Sequence, residues 1–455
     1  MEDNSRLAKE PIGKLLLSLA VPTVLAQLVN LLYNIVDRMY VGRIEGIGSL
    51  ALAGLGVCFP IIMLVSAFAG LVGMGGAPRA AIFMGKQDNK TGEKILGNSV
   101  STLIIFSVIL TIIFYFTKEP ILMLFGASAD TLPYANEYLS IYLVGTIFVQ
   151  IALGLNMFIT SQGFAKMGMA TVCIGAIFNI ILDPIFIFGL NMGVKGAALA
   201  TIISQAVSAL WVLKFLTGKK TILKIRKQYL KIEKNIIVPV LMLGLSPFIM
   251  QATECLVQLV FNKSMGYYGN DMYVALMSIL FSVMQFIWLP IQGIAQGAQP
   301  ILSYNYGAKN YARVRQTIKI LFIICLSFSL LLVTTIELFP QLYVGIFTND
   351  PALFEIGIPG IRIFMFGMAI MGAQAACQQT LLSLGQAKVS IFVAFLRKII
   401  LLIPLVLVLP LIMNNQTNGI LLAEAITDAL AAIITTIIFI KHSKTLLYAN
   451  ENQSH

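Results

Sequence analysis

The sequence predicts an all-α polytopic membrane protein, with twelve transmembrane helices in two six-helix bundles related by a parallel internal repeat. Three observations predict it. The chain of 455 residues is 58% hydrophobic and 11% charged, with a mean hydropathy of +0.88, whereas soluble domains carry roughly 25% charged residues. Apolar runs of ~20 residues, long enough to cross a bilayer as helices, recur along the whole length. A constant offset of 222 residues maps two separated segments of the first half onto the second.

In chain order, span 1 covers about residues 15–40. It is too long for the h-region of a signal peptide, and no A-x-A-like site precedes the next span, so it is expected to remain as a helix. Within it Gln27, Asn30, Asn34 and Asp37 fall at i, i+3, i+7 and i+10, a polar stripe on an otherwise apolar helix. Arg38 is adjacent to Asp37, which leaves a rim ion pair open, although successive helical residues diverge by ~100°. Spans 2, 3 and 4 follow at 50–78, 95–117 and 133–160. Span 5, at 167–188, contains AIFNIILDPIFIFG. Asn179 stands one turn before Asp183, and Pro184 follows at once. Proline lacks an N–H and disfavours helical geometry before it, so a kink beside a carboxylate and an amide is expected, able to hold a proton or small cation. The competing reading is a packing kink in which Asp183 only caps a helix break.

Span 6 lies at 194–216, and TGKKTILKIRKQYLKIEKN at 217–235 is the longest strongly charged loop, at the midpoint. It divides a first lobe (1–216) from a second (236–455). Span 7, at 236–262, has Gln251, Glu254 and Gln258 on one face, and Glu254 has no partner near it in sequence. Span 8, at 271–302, carries Gln285, Gln292, Gln296 and Gln299. Spans 9, 10 and 11 are read at 317–340, 357–383 and 389–413, with Gln374 and Gln378 one turn apart in span 10. Span 12, at 417–441, holds Glu424 and Asp428 one turn apart. A charge at the bilayer centre costs ~2.5–3.5 kcal/mol even on a lenient scale, so such acids usually mark function, whereas buried glutamines often only join helices.

The repeat pairs GGAPRAAIFMGKQDNK (75–90) with GAQPILSYNYGAKNYA (297–312), and SQGFAK (161–166) with SLGQAK (383–388). Six spans per half is an even number, so both halves enter the membrane from the same side. Parallel repeats of this kind build transporters that alternate access by rocking one bundle against the other.

The net charge of +11 follows topology. With the N-terminus inside, 25 of the 31 Lys and Arg, including Lys388, Arg397 and Lys398, are assigned to inner segments. Both termini are therefore expected in the cytoplasm of a multi-pass protein of the cell inner (plasma) membrane, and no nucleic-acid partner is expected. Five scattered cysteines, and histidines only at 442 and 455, argue against disulfides or a zinc site. HExxH, GxSxG and Cys/His pairs are absent, so no enzyme is expected. One duplicated chain gives no fourfold ring for a channel.

AVPTVLAQLVNLLYNIVDRMYVGR in span 1, NIILDPIFIFGLNMGVKGAALAT across spans 5 and 6, and the MGKQDN and YGAKNYARV loops resemble the multidrug and toxic compound extrusion (MATE) family, closest to its MepA-like bacterial branch. The resemblance covers essentially the full length. It implies an ion-driven exporter whose first-lobe cation site falls on Asp37, Asn179, Asp183 and Thr201. The coupling ion would be a proton or sodium, the latter at Asp37 and Asp183, with no other cofactor. NorM-like members of the family pair a span 7 glutamate with a span 10 aspartate. Glu254 matches the first, but Gln374 and Gln378 replace the second, leaving Glu254 as a substrate contact. The expected function is antiport of amphipathic, mainly cationic compounds. Asn34, Glu254, Gln258, Gln285, Gln374 and Gln378 are the candidate substrate contacts. Membrane lipid is the only other partner expected, and one chain is expected to suffice. The alternative is a lipid-linked oligosaccharide flippase, which needs an intramembrane Arg/Lys cluster, and none is evident in the sequence.

Overall fold

The computed structural model describes residues 2–448, and every regular element among them is helical. Eleven helices are long and apolar enough to cross a bilayer, and a bent pair supplies a twelfth span. In order they are α1 (Ile12–Gly42), α2 (Gly48–Gly85), α3 (Asn89–Leu124), α4 (Leu132–Val144 with Thr146–Ser161), α5 (Ala165–Gly189) and α6 (Val194–Thr217). The second set is α7 (Lys234–Tyr268), α8 (Asp271–Gly307), α9 (Tyr311–Leu338), α10 (Pro351–Ser383), α11 (Ala387–Ile412) and α12 (Gln416–Leu447). Each apolar run of the sequence is recovered as a span, and the helices extend past the apolar runs into polar flanks. His455 lies outside the described residues.

Several spans are irregular within their length. α4 bends by 59° at Gly145, where a Cβ would lie only 2.1 Å from Ile202 Cδ1 of α6. α5 opens into a π-turn at Ile185–Gly189 directly after Pro184, whose ring has no N–H for the ladder. α11 has a longer π-turn, Leu396–Leu402, just before Pro404. α7 breaks between Ala252 and Glu254. Irregular backbone at membrane depth is tolerated only inside protein or beside a water-filled cavity, so these breaks show where polar side chains can be housed.

The repeat is reproduced in detail. Gln87 and Lys309 both take positive φ (62° and 58°), as do Gly163 and Gly385 (93° and 73°). Asp88 caps α3 by accepting from Thr91 N (3.0 Å), and Asn310 caps α9 by accepting from Arg313 N (3.4 Å). Every one of these pairs is related by the same 222-residue offset.

Small residues set the contact between the halves, as is usual where helices pack in lipid. A Cβ on Gly85 would lie 2.0 Å from Tyr304 O, and one on Gly307 1.9 Å from Ile82 O, so α2 and α8 cross backbone to backbone. Gly244 of α7 meets Leu71 O of α2, and Gly297 of α8 meets Ala20 of α1. The joint is therefore α2 with α8 on the pseudo-twofold axis, flanked by α2 with α7 and α8 with α1.

The charged segment between α6 and α7 is strapped to the first lobe. Gln162 Oε1, fully buried, accepts from Thr221 Oγ1 (2.9 Å), Ile222 N (2.8 Å) and Leu223 N (2.7 Å). Asn98 Oδ1 accepts from Glu233 N (2.6 Å), and Glu93 pairs with Arg226.

Candidate functional site

The polar residues of α1, α5 and α6 meet inside the first lobe. Asp183 sits at the last turn before the π-opening of α5, and Asn179 one turn earlier points the same way. Both are buried, at 0% and 1% exposure. The Asn179 amide nitrogen donates to Asp183 Oδ1 (3.3 Å) and lies 3.5 Å from Thr201 Oγ1 of α6. Across from them, α1 brings the Asp37 carboxyl into hydrogen-bonding reach of Asp183. Arg38 is turned away, over the ring of Phe59 at 5.5 Å, so it does not form the rim pair left open by the sequence.

Four sequence-predicted residues therefore converge, and their acceptor capacity exceeds the donors present. Asp37 Oδ1, Asp183 Oδ2 and Asn179 Oδ1 are buried with no partner. Two carboxylates facing each other in a largely desolvated pocket repel unless a cation, a proton included, lies between them.

Two tyrosines that are not among the candidate residues of the sequence complete the pocket. Tyr33 is one turn before Asp37 on the same face, a signal that the spacing contained. Tyr138, from the bent α4, places its hydroxyl against Thr201, and nothing local in the sequence announces that. A cleft within the lobe, lined by Asn30, Tyr33, Asn156, Asn179, Thr201 and Gln205, leads to the site.

The second lobe differs from expectation. Arg397 and Lys398, assigned above to an inner loop, lie in the π-turn of α11 and are buried (5% and 3% exposed). Their partners come from distant helices, so the local sequence could not place them. Lys398 Nζ is 2.7 Å from Glu254 Oε2 of α7. Arg397 grips Asp428 of α12 through Nη2 (2.8 Å) and Nε (3.1 Å), with Glu424 at 3.6 Å and the Trp288 ring on its face. The buried Arg/Lys cluster missing from the sequence reading thus exists, but it is outnumbered by acids.

The candidate substrate contacts disperse. Glu254 is engaged by Lys398, and Gln258 supports Glu254. Gln378 is a structural tie, donating to Ser246 Oγ of α7 (2.6 Å) and Ser390 Oγ of α11 (2.8 Å). Gln374 is buried with its amide unpartnered. Gln285 is exposed, and Asn34 turns back to donate to Asn30 O (2.7 Å). These six do not form one cluster.

Comparison with known proteins gives a consistent result. The profile of the MatE family matches twice, at residues 22–185 and 247–408, once per half. The chain is 27% identical over 429 residues to the multidrug export protein MepA of Staphylococcus saprophyticus, covering 94% of each. It is 25% identical over 437 residues to the protein of the same name from Staphylococcus aureus strain NCTC 8325, again covering 94% of each. Among solved structures, one titled "Crystal structure of MATE in the bent conformation" superposes with a TM-score of 0.91 at 22% identity, covering 98% of both chains. Another, an "outward-facing conformation of a multidrug resistance MATE family transporter", gives 0.90 at 22% identity, covering 97% of this chain and 98% of the other.

Proposed function

The chain belongs to the MatE family, and from that premise we propose that it is a multidrug efflux antiporter, exporting amphipathic cations in exchange for a cation bound between Asp37 and Asp183. The observation that carries the reading is the contact of these two carboxyls, one from α1 and one from the kinked α5. A proton fits that contact, because it joins two facing carboxyl oxygens directly. Sodium is the second reading, favoured by the three unpartnered oxygens of Asp37, Asp183 and Asn179.

The mechanism follows from what α1 touches. Its first half packs on α8 of the other lobe, with Val24 against Gly293, Ala20 against Gly297, and Gln27 3.4 Å from Gln296. Its second half carries Asp37. Loading a cation removes the repulsion between Asp37 and Asp183 across the α1–α5 contact, and the same helix transmits the change to the joint between lobes. The cation must bind the two arrangements with different affinity for this to drive transport.

Cationic substrates are supported by the balance of buried charge. The two clusters hold Asp37, Asp183, Glu254, Glu424 and Asp428 against Arg397 and Lys398. That surplus attracts cations and disfavours the phosphates of a lipid-linked sugar. Basic residues still concentrate on the linker side without Arg397 and Lys398, which supports a plasma-membrane protein with cytoplasmic termini. The first-lobe site is built from one chain, which supports a functional monomer.

The test is ethidium efflux from energised cells carrying wild type, Asp37→Asn or Asp183→Asn, with a protonophore and sodium removal as separate arms. Efflux should collapse in both variants and under one treatment, which identifies the ion. Normal pumping by Asp183→Asn, with the protein present in the membrane, would leave Asp183 as a kink residue and end this proposal.

A further inference from the structure

The second lobe carries a polar cluster on the helices that correspond to those of the first-lobe site. Asp37 lies on α1, Asn179 and Asp183 on α5 and Thr201 on α6, while Glu254 lies on α7, Arg397 and Lys398 on α11, and Glu424 and Asp428 on α12. Both clusters sit where the α5 or α11 backbone opens into a π-turn. The chemistry differs, because the second cluster brings its own cations.

Pairing within that cluster leaves one acid over. Glu254 has Lys398 at 2.7 Å, and Asp428 holds the Arg397 fork at 2.8 and 3.1 Å. Glu424 is left with the side of the same guanidinium, 3.6 Å away. It is 1% exposed, and its Oε2 has no partner; Asp428 Oδ2, one turn on, has none either. An ionised carboxylate buried without a full partner is strongly disfavoured, and a bound cation removes the penalty. The adjacent guanidinium repels a metal ion and leaves only two free carboxylate oxygens, too few for a sodium shell. A proton needs one oxygen.

We propose that Glu424 is a second proton-binding site, so that the protein exchanges two protons for each substrate, one in each lobe. The inference rests on the antiport reading above. Glu424 faces Asp428 on its own helix, Arg397 and Lys398 from α11, and Glu254 from α7. α8 contributes the uncharged Trp288 ring, 5.6 Å from the Arg397 guanidinium. α10, also packed along α12, carries its charged residues, Glu355 and Arg362, only in its first four turns, where Arg362 pairs with Glu337 at 3.9 Å. Glu254, one-quarter exposed and joined to the cluster through Lys398, is the route by which the proton reaches water. Proton gain at Glu424 leaves both ion pairs intact and the cluster neutral. Proton loss leaves Arg397 shared between two carboxylates, which draws Glu424 and α12 towards α11.

The test is the ethidium gradient that nulls net flux in proteoliposomes with the membrane potential clamped to zero. For a pH difference of one unit, two coupled protons sustain a gradient of ~100-fold and one proton ~10-fold, since each proton contributes a factor of ten. Wild type should null near ~100-fold, Glu424→Gln near ~10-fold, and Glu424→Asp, which keeps a titratable group, near the wild-type value. A null unmoved in Glu424→Gln, or a wild type already near ~10-fold, overturns the second site while leaving antiport standing. A null that follows sodium at constant pH overturns the proton assignment. A wild type indifferent to both gradients overturns the antiport reading itself. Should Glu424→Gln fail to reconstitute, Glu424→Leu, which fills a similar volume without a titratable group, takes its place with the same expected null near ~10-fold, and a null at the wild-type value overturns the second site.

Discussion

Asp183 announces itself in the sequence because everything needed to notice it is local. The oily run, the asparagine one turn earlier and the proline after it fit within a short segment. Glu254 shows the opposite case. Its acid character was plain, but its partner Lys398 is 144 residues away and enters through a π-turn that no periodicity predicts. That pair also explains why a substrate role for Glu254 was easy to assign from sequence and is weakened by the structure. The pair sits largely out of water, so removing one member strands the other. Lys398→Met or Glu254→Gln alone should destabilise the protein by ~3 kcal/mol, at the low end for buried pairs because Glu254 is partly exposed. The double substitution should restore most of the loss, because no unpaired charge remains. Thermal unfolding of the three variants in detergent measures this, and two single variants that melt like wild type would show that the pair is fully solvated.

The spans were legible from hydropathy alone, and the kink of α5 from its proline. The bend of α4 was not, because a lone glycine in an apolar run is ordinary in membrane helices, and Gly145 marks a bend only once it is seen against Ile202 of α6. The central linker reads as a charged loop, and its strapping to the first lobe depends on one buried side chain. The repeat marks that side chain by breaking at it. Gln162 falls on Leu384, itself 2% exposed, because only the first half has a linker to hold. Gln162→Leu should therefore fold, having a precedent in the other lobe, while leaving the N–H groups of Ile222 and Leu223 unpaired. Orphaned buried groups cost ~1–3 kcal/mol each, which exceeds what the remaining strap contacts recover locally. Trypsin should then cut at Lys219 to Lys231 much faster than in wild type, and unchanged cleavage would show that Glu93 and Asn98 suffice. The caps offer a matched pair: Asp88→Ala and Asn310→Ala should each cost ~1 kcal/mol. Equal losses in thermal unfolding are expected from their equivalent positions, and a loss confined to one would show that the two loops are held differently.

At the scale of the whole molecule, the 222-residue offset showed that the halves are copies, but not how they join. Gly85 and Gly307 were visible as a repeated pair, yet their purpose emerges only when each is seen resting on the backbone of the opposite helix. α2 and α8 are thus clamped at the end next to the capped loops, where Gln87 Nε2 also lies 3.3 Å from Tyr304 Oη across the joint. If the lobes rock about this joint, the clamp opens once per cycle, because α2 and α8 meet backbone to backbone there and any parting of the bundles at that end separates them. Gln87 and Ala308 are both exposed beside the clamp, one from each lobe. Gln87→Cys combined with Ala308→Cys, bridged by a short bifunctional thiol reagent, should stop efflux. Cleaving the bridge should restore it, and each single cysteine treated alike should pump normally. The native cysteines are unpaired, so they must first be replaced. Loss of transport in the bridged protein alone would place the moving joint at the α2–α8 crossing. Undiminished efflux after complete bridging would mean that this crossing stays closed throughout, and that access changes through α1 bending within the first lobe.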